Sequence, residues 1–523
     1  MLPKEIIRAI LSLIEDDRAR KLARGVCREW QKIINFTDIN IFCAVTLQRV
    51  DQLRNTLVKC GSFGLTINDP HLTDPSILLG QLSQLTSLSY PSTLPTMESV
   101  TNLQHLTAHA APADWLLRQS QLTSLRLTEV TMDQSILGPD SLSNIRSLSV
   151  GSFEAAPLLT AVTASKLTSL VCATVKQFDI TKYSNLKSLF LRTPAQVNID
   201  VNLPNLEELQ LNHVMRVSST ALTKLHVSGR SDNVLDLLRG LTTLQTFTAC
   251  WDNNAEQVSH FTALKKLSRL TVLAAPSVQV LQYLQPDSLT RLTLFTDDPS
   301  DACIEYLSRL TNLRILHFST AARVNWRVVS SLTHLEGLHT TYASCDNLSS
   351  INTLTRLHSL ALSNRDRTSE SVHFDVQVLR RLRQLLVLCP SIHLDNLAAL
   401  HHLEYLALHG SMDFNQLHSA HLTHLEVVSS DDAFWNNLSR LSALRELNIR
   451  HITSDEHVIE LSVLTQLTRL SVSHSTNDGK ELTRLTSLRY IQYLSSNTSR
   501  AIKNELTNKL INLEQNNYVV NTK

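Results

Sequence analysis

The chain has little glycine, few aromatic side chains and almost no net charge. Only 11 of its 523 residues are Gly, far fewer than the roughly 7% of an average protein, so Gly-rich loops that cradle phosphates are not expected. Lysine and arginine together number 48 and aspartate and glutamate 47, which leaves no broad electrostatic attraction for nucleic acid or an anionic membrane. We therefore expect neither of these as a partner.

Long hydrophobic runs and paired cysteines are also missing. The first residues, MLPKEIIRAILSLIEDD, place charges among the apolar side chains, unlike the uninterrupted apolar core of a secretory signal. The most apolar uncharged stretch, 270–286, contains Pro276 and is shorter than the roughly 20 residues of a membrane span. The eight cysteines form no CxxC pair and are typical of small core residues in a reducing compartment. The sequence therefore predicts a cytoplasmic protein, with the nucleus as an alternative, and no membrane contact.

Motifs for catalysis and metal binding are absent as well. The sequence contains no GxGxxG, GxxxxGK[ST], GxSxG or HExxH, which are the motifs of nucleotide binding and of common hydrolases. A group of histidines lacks zinc-site spacing and has no cysteine nearby: His401, His402, His409, His418, His421 and His424. We therefore expect no enzyme activity, no metal and no cofactor.

Leucine is the residue in excess, with 93 copies, and it recurs in one motif, LxxLxL. Clear copies are LTSLRL (122–127), LKSLFL (186–191), LEELQL (206–211), LHSLAL (357–362) and LTRLSV (467–472). We count 20 copies that start between Leu85 and Leu485, at an average interval of about 21 residues. The spacing is inside the period of leucine-rich repeats, and the chain resembles that family over most of its length.

The leucine-rich repeat resemblance implies an α/β solenoid, a horseshoe with short parallel strands on its concave face. The LxL residues alternate as a strand does, and a return of about 15 residues is long enough to bring the next strand in parallel. The Asn or Cys expected three residues after LxL, whose side chain would satisfy turn backbone groups, is mostly missing. We therefore expect irregular returns, helical in segments such as 234–241 and 301–310 and extended elsewhere.

Residues 1–36 do not fit the repeat and resemble an F-box. Three features in this order carry the resemblance: Leu2-Pro3-x-Glu5-Ile6, an apolar ladder, and Val26-Cys27-Arg28-Glu29-Trp30. Asp16–Arg20 stand where the family often has a second leucine pair. The resemblance implies docking onto the Skp-type adaptor of a cullin-RING ubiquitin ligase, with these contact residues: Leu2, Pro3, Ile6, Ile10, Leu13, Val26 and Trp30. The alternative is that this segment only caps the solenoid.

The remaining segments complete the predicted domain organisation. Residues 45–60 have the spacing of an amphipathic helix, Phe63–Ile67 resemble a degenerate first strand, and 498–516 resemble a capping helix. The predicted parts are an F-box-like helical segment (1–37), a connecting helix and degenerate first repeat (38–80), a solenoid of about 20 units (81–495), and a C-terminal capping helix with a frayed tail (496–523).

The outward-facing strand residues are the predicted binding surface. Twenty strands about 4.8 Å apart give an arc of very roughly 90 Å, more than a standard interface needs. Aromatic and arginine side chains are the usual interface anchors, and the candidates are Phe190, Arg192, Tyr405, Arg450 and Arg469. Trp326 and Trp435 fall in the returns, where we expect packing. The sequence thus predicts a non-catalytic substrate receptor of an SCF-type ubiquitin ligase that binds an unidentified target protein. The alternative is an interaction scaffold without a ubiquitin-ligase role.

Overall fold

The computed structural model describes residues 40–43, 63–67 and, with short gaps, 85–495. The gaps are 99, 130–136, 152–155, 173–178, 193–199, 213–215, 231–234, 251–256, 276–277, 297–304, 321–325, 342–347, 364–371, 418, 429–431, 453 and 476–486. The predicted F-box with all seven of its adaptor-contact residues, the amphipathic helix at 45–60 and the C-terminal cap lie outside the described residues.

The chain divides into two compact units, one ending at Leu244 and one beginning at Gln245. The strands of the first unit are β1 (Asn40–Cys43), β2 (Phe63–Ile67), β3 (Leu85–Ser89), β4 (His105–Ala108), β5 (Ser124–Leu127), β6 (Ser147–Val150), β7 (Ser169–Cys172), β8 (Ser188–Leu191), β9 (Asp200–Asn202), β10 (Glu208–Leu211), β11 (Arg216–Ser218) and β12 (Lys224–Arg230). Strands β1 to β8, β10 and β12 pair in parallel in chain order. Strands β9 and β11 pair with each other in the returns.

The second unit repeats this plan. Its strands are β13 (Thr246–Cys250), β14 (Arg269–Ala275), β15 (Arg291–Thr296), β16 (Ile315–Thr320), β17 (Gly337–Thr341), β18 (Ser359–Ser363), β19 (Val372–Asp375), β20 (Gln384–Leu388), β21 (Ile392–Asp395), β22 (Tyr405–Leu408), β23 (Ser411–Met412), β24 (His424–Val427), β25 (Glu446–Ile452), β26 (Arg469–Ser475) and β27 (Tyr490–Ser495). Strands β19, β21 and β23 form a separate parallel sheet, and the others pair in parallel in chain order.

Short helices occupy many of the returns. The α-helices are α1 (Ala113–Leu117), α2 (Ala156–Ala161), α3 (Trp326–Val329), α4 (Asp432–Asn437) and α5 (Asp455–Leu461). The 3-10 helices are Ile180–Lys182, Asp236–Gly240, Gln257–Ala263, Val278–Tyr283, Glu305–Arg309, Leu348–Thr353, Leu397–Ala399, Phe414–Gln416 and Leu438–Arg440. Two of these confirm the helical turns predicted within 234–241 and 301–310. Within the described residues, none of the helices has the length and apolar character needed to cross a membrane.

The leucines of the motif form columns of buried side chains. Successive strands of the first unit place the same leucine position in register, and each of these side chains is at most 1% exposed: Leu125, Leu148, Leu170, Leu189, Leu209 and Leu225. Burying one such side chain stabilises the fold by about 1.5–3 kcal/mol. Because that burial is provided by the neighbouring repeats, each repeat is stable only within the stack.

Polar side chains at the start of the motif connect successive repeats. The hydroxyl directly after the first motif leucine donates to the equivalent carbonyl of the preceding repeat, as Thr168 Oγ1 does to Arg146 O at 3.1 Å. The same bond is made by Thr123, Thr223, Ser268, Thr290, Thr423 and Thr468. Asparagines directly before the first motif position, which is Leu or, after Asn144, Ile145, also donate to the preceding repeat: Asn144, Asn185, Asn205 and Asn312. These residues satisfy turn carbonyls, the role expected of the missing Asn or Cys after LxL.

Two details of the repeat differ from the sequence prediction. Residues Asn40–Cys43 form strand β1 beside the strand predicted at Phe63–Ile67, so one more strand precedes the array. In the last repeat, Ile491 pairs with Leu470, which places the motif start at Leu488 and not at Leu485. Leucines three residues apart satisfy LxxL in either register, and only strand pairing selects one of them.

The tryptophans of the returns pack inside, as predicted. Trp326 on α3 is 1% exposed and Trp435 on α4 is 3% exposed, and the Trp435 ring stacks on His457 of α5 at 4.2 Å between centroids. These large side chains therefore join the returns to the core.

Candidate functional site

The strand residues that alternate with the buried leucines form an open face in each unit. In β10, for example, Leu209 and Leu211 are buried while Glu208 is exposed and Gln210 is half-buried. Side chains on adjacent parallel strands in register lie about 4.8 Å apart. Residues at the same strand position therefore form rows across neighbouring repeats.

One row of the second unit combines aromatic and charged side chains on five neighbouring strands. The first residues of β22, β24, β25, β26 and β27 are in register. They are Tyr405, His424, Glu446, Arg469 and Tyr490, and we name this set the Tyr405–Tyr490 row.

The side chains of this row contact one another in sequence. Glu446 Oε1 lies 3.5 Å from His424 Nε2 and 3.4 Å from Arg469 Nη1. The Arg469 guanidinium carbon lies 5.1 Å from the centre of the Tyr490 ring, a cation–π contact. The Tyr405 ring stacks near His424, with 5.9 Å between centroids. Each member of the row thus contacts the next.

A shallow cavity of about 240 Å³ lies along the row. Its lining consists of Tyr405, His424, Leu425, Glu426, Glu446, Leu447, Asn448, Arg469, Leu470, Ser471 and Tyr490. Partial burial, followed by the charges of Glu426 and Glu446, raises the pKa of Tyr405. The phenol therefore stays protonated at neutral pH and can donate a hydrogen bond to a ligand.

The structure brings together two of the five residues predicted to contact a partner. Tyr405 and Arg469 lie in the same row, while Arg450 is exposed at the fifth position of β25, outside the row. In the first unit, the Arg192 guanidinium carbon lies 5.4 Å from the centre of the Phe190 ring. The sequence prediction therefore contains two members of one cluster, Tyr405 and Arg469, and one separate pair, Phe190 and Arg192.

Tyr490 was missed because of the register of the last motif. With a start at Leu485, position 490 would point into the core, whereas the start at Leu488 places Tyr490 beside Arg469 on the open face. The fully buried Leu470 and its partner Ile491 would have indicated the right register, if the strands had been aligned on their apolar residues.

A second feature of the open face is a pair of stacked imidazoles on β16 and β17. The rings of His317 and His339 are 4.3 Å apart at their centroids and tilted by only 9°. Burial, followed by the neighbouring His317, lowers the pKa of His339 to about 4. Burial and Arg291 lower the pKa of His317 too. Both rings are therefore neutral at physiological pH, and His339 Nε2 shares a 2.9 Å hydrogen bond with Ser359 Oγ.

Four of the six histidines for which no metal site was expected contact other side chains. His402 and His421 stack at 6.4 Å between centroids, and His409 Nε2 lies 3.8 Å from Glu426 Oε1. His424 belongs to the Tyr405–Tyr490 row, His401 is exposed, and His418 lies outside the described residues.

Two cysteines of the described part, Cys172 and Cys250, are free and buried. Burial raises the pKa of the Cys172 thiol to about 12. A thiol that stays protonated is a poor nucleophile, so Cys172 acts as a small core residue.

Several solved structures are similar to this chain. TLR13, in its crystal structure as a complex with ssRNA13, is similar at 16% identity over 87% of this chain and 81% of that chain, with a TM-score of 0.53. The internalin InlF from Listeria monocytogenes is 17% identical over 60% of this chain and 82% of that chain, with a TM-score of 0.37. A leucine-rich repeat protein from Leptospira interrogans is 16% identical over 90% and 98%, with a TM-score of 0.28. No family model and no curated protein matches the sequence.

The chain is a leucine-rich repeat solenoid. The parallel strands in register, the buried leucine columns and the similarity to TLR13 agree on this fold. At 16% identity the similarity to TLR13 is one of fold, so arguments about a ligand depend on the side chains of the open face.

Proposed function

We propose that the protein is a non-catalytic interaction scaffold that binds a folded protein through the open face of its second unit. The observation that carries this proposal is the Tyr405–Tyr490 row, in which two tyrosines and an arginine share one position across five successive strands of the sheet. Tyrosine and arginine are enriched among the residues that dominate interface energies. In this proposal the row forms the centre of the interface, and the rest of the open face of the second unit supplies the surrounding contact area.

The geometry of the row suits a large partner. Its cavity of about 240 Å³ is smaller and shallower than the roughly 300–1,000 Å³ pockets that enclose small ligands. Arg469 is held between Glu446 and the Tyr490 ring, so little side-chain entropy is lost on binding. A protein surface can contact such a row without a deep pocket.

Single-stranded RNA is the alternative ligand, because TLR13 is in complex with ssRNA in its structure. In this chain, however, Glu426 and Glu446 line the same cavity as Arg469. Two carboxylates beside one guanidinium disfavour a phosphate backbone. A protein partner is therefore the better-supported proposal.

Proximity labelling with the full-length chain tests the protein-binding proposal. The variant Tyr405→Ala/Arg469→Ala/Tyr490→Ala removes the three anchors, each expected to contribute more than about 1 kcal/mol to binding. Labelling of specific partners should fall by about tenfold or more. The matched control, Phe190→Ala/Arg192→Ala, removes an aromatic–arginine pair from the first unit and should leave these partners labelled. The proposal would be contradicted if the triple variant labels an unchanged set of partners, or if added single-stranded RNA competes with the protein partners for the row.

A reducing compartment, the cytoplasm or the nucleus, is part of the proposal. The free, buried thiols of Cys172 and Cys250 support it, because such thiols persist where disulfides do not form. Cell fractionation of the full-length chain would test this assignment.

A more specific function, the substrate receptor of a cullin-RING (SCF-type) ubiquitin ligase, is supported by the sequence of residues 1–36. The sequence order of these residues resembles an F-box: Leu2-Pro3, Glu5-Ile6, Val26-Cys27 and Trp30. In this proposal a Skp-type adaptor, and through it a cullin, would bind these residues while the open face holds the target. Tethering would raise the effective concentration of the target near the ligase.

Co-purification with a Skp-type adaptor separates the two functions. A receptor should retain the adaptor, and Leu2→Ala/Pro3→Ala/Ile6→Ala should lose it without loss of the partners labelled at the open face. If well-folded wild-type protein retains no adaptor and its partners show no ubiquitin-linked change in abundance, the scaffold function remains and the ligase function is wrong.

A further inference from the structure

The small sheet β19–β21–β23 carries a second histidine cluster, away from the Tyr405–Tyr490 row. The sequences Val372-His-Phe-Asp375 and Ile392-His-Leu-Asp395 occupy β19 and β21. Their parallel pairing places His373 beside His393 and Asp375 beside Asp395. Because strand residues two apart share a face, His393 and Asp395 lie on the same side as His373.

The side chains of this cluster converge. Asp395 Oδ2 lies 3.0 Å from His373 Nδ1, and Asp395 Oδ1 lies 3.6 Å from His393 Nε2. The two imidazole rings are 4.9 Å apart at their centroids and tilted by 58°. One ligand atom from each residue lies within 4.8 Å of the other two. The carboxylate thus sits between the two rings and orients both.

We propose that His373, His393 and Asp395 form a binding site for a divalent first-row transition-metal ion, and that the ion is Zn²⁺. Two imidazole nitrogens and one carboxylate oxygen are a ligand set that such ions accept. Zinc–nitrogen bonds of about 2.0–2.1 Å place neighbouring tetrahedral ligand atoms about 3.3 Å apart. Each carboxylate oxygen of Asp395 already lies near this distance from one ring nitrogen, at 3.0 Å for Oδ2 and 3.6 Å for Oδ1. One ligand atom from each residue lies within 4.8 Å of the other two, and small side-chain rotations would bring the three atoms to the tetrahedral spacing.

The surroundings of the cluster favour a cation. Asp375 accepts hydrogen bonds from Asn396 Nδ2 at 3.0 Å and from the Gln377 backbone N–H at 2.9 Å. A second neighbouring carboxylate, Asp413, follows β23 and accepts from the Asn415 backbone N–H at 3.0 Å. These hydrogen bonds orient two further carboxyl groups, at the end of β19 and directly after β23, beside the cluster.

The site would leave one coordination position open. Three protein ligands plus water is the arrangement of accessible zinc sites, whereas structural sites use four protein ligands. His373 is exposed and His393 and Asp395 are half-buried, so an ion can enter from solvent. This proposal does not depend on the protein-binding proposal, because it uses a different sheet and different residues.

Zinc binding to the full-length, tag-free chain tests the proposal. The wild type should bind one Zn²⁺ more tightly than its remaining surface histidines do, as measured by equilibrium dialysis with metal analysis and by calorimetric titration. His373→Ala removes an exposed ligand and Asp395→Asn is nearly isosteric, so both variants should stay folded. Each should weaken this binding by at least about tenfold. Co²⁺ should give a visible absorption band with the wild type that both variants lack.

His402→Ala/His421→Ala is the matched control. It removes a stacked histidine pair from neighbouring repeats, and this pair belongs to no three-ligand cluster among the described residues. The control should bind Zn²⁺ with unchanged affinity and stoichiometry. Equal Zn²⁺ binding by the wild type and by both cluster variants, or loss of the tight site in the control alone, would overturn the assignment.

Discussion

The two faces of the same strands differ in what changes from one repeat to the next. In the second unit, the inward position of four neighbouring strands is always a leucine that is at most 2% exposed: Leu406, Leu425, Leu447 and Leu470. The residue directly before each of these is different every time: Tyr405, His424, Glu446 and Arg469. Packing of one repeat on the next requires the same side-chain shape at every inward position. The open face has no such requirement, so its residues are free to differ and to determine which partner binds. Substitutions on the two faces should therefore have effects of different kind and size.

The largest expected effect is on the buried face. Leu470→Ala should lower the free energy of unfolding by about 2–5 kcal/mol, because the side chain is fully buried and the stack cannot close the cavity. Ser471→Ala, one residue away on the open face, should change it by less than about 0.5 kcal/mol. Urea denaturation followed by circular dichroism measures both. Similar losses for the two variants would show that the faces do not differ in stability.

Two glycines compare a close backbone approach with an open position. Gly410 lies between β22 and β23, and Gly337 is the first residue of β17. A Cβ on Gly410 would lie 2.2 Å from Ile392 O and 2.9 Å from Cys389 O, so Gly410→Ala should cost about 1–3 kcal/mol in strain. A Cβ on Gly337 would meet only the Ile315 side chain, at 3.7 Å, so Gly337→Ala should be close to neutral. Thermal unfolding compares them, and equal melting temperatures would contradict the close approach at Gly410.

Acid should act on the open face through its stacked histidines. The pKa of His339 falls from 6.5 to about 4 in the folded chain, so the unfolded chain binds a proton first as the pH falls. Stability should therefore be unaffected above about pH 6.5 and should decrease between about pH 6.5 and 4. Because the ring is only half-buried, we expect about 1–2 kcal/mol. His339→Gln should remove this part of the pH dependence of unfolding, and the exposed control His334→Gln should retain it.

The smallest expected effect on stability is at the proposed binding row. Arg469 is 56% exposed in its ion pair with Glu446, so Arg469→Ala should change the free energy of unfolding by less than about 1 kcal/mol. The same variant should weaken partner binding clearly, because arginine anchors contribute more than about 1 kcal/mol to interfaces. Denaturation and partner labelling together measure the contrast. A destabilisation as large as that of Leu470→Ala would remove the distinction between the two faces.

Much of the fold could be predicted because the leucine period carries it. The strand positions from Leu85 to Val472 follow from LxxLxL, since burial of the alternate leucines leaves one arrangement of the strands. The small sheets β9–β11 and β19–β21–β23 were not predicted. They are built from short extended pieces of the returns, whose sequences have no period and whose pairing depends on the neighbouring coil.

The candidate site was predicted in its residue types but not in its grouping. Tyr405 and Arg469 are 64 residues apart in the sequence, and the register across four strands brings them into one row. The metal-ligand cluster illustrates the same limit. Its visible signal is the repeated His-x-Asp in VHFD (372–375) and IHLD (392–395), 20 positions apart. The convergence of the three ligands depends on β19 pairing with β21.

The sequence by itself determined the repeat, the inward leucines and the positions that face outward, because all three follow from short-range periodicity and burial. Tertiary structure alone decided the start of the last motif, the return sheets and the neighbours of each outward side chain. Those features depend on the pairing register between strands about 20 residues apart in the chain. A shift of a few residues in that register leaves the local pattern acceptable but changes which side chains meet.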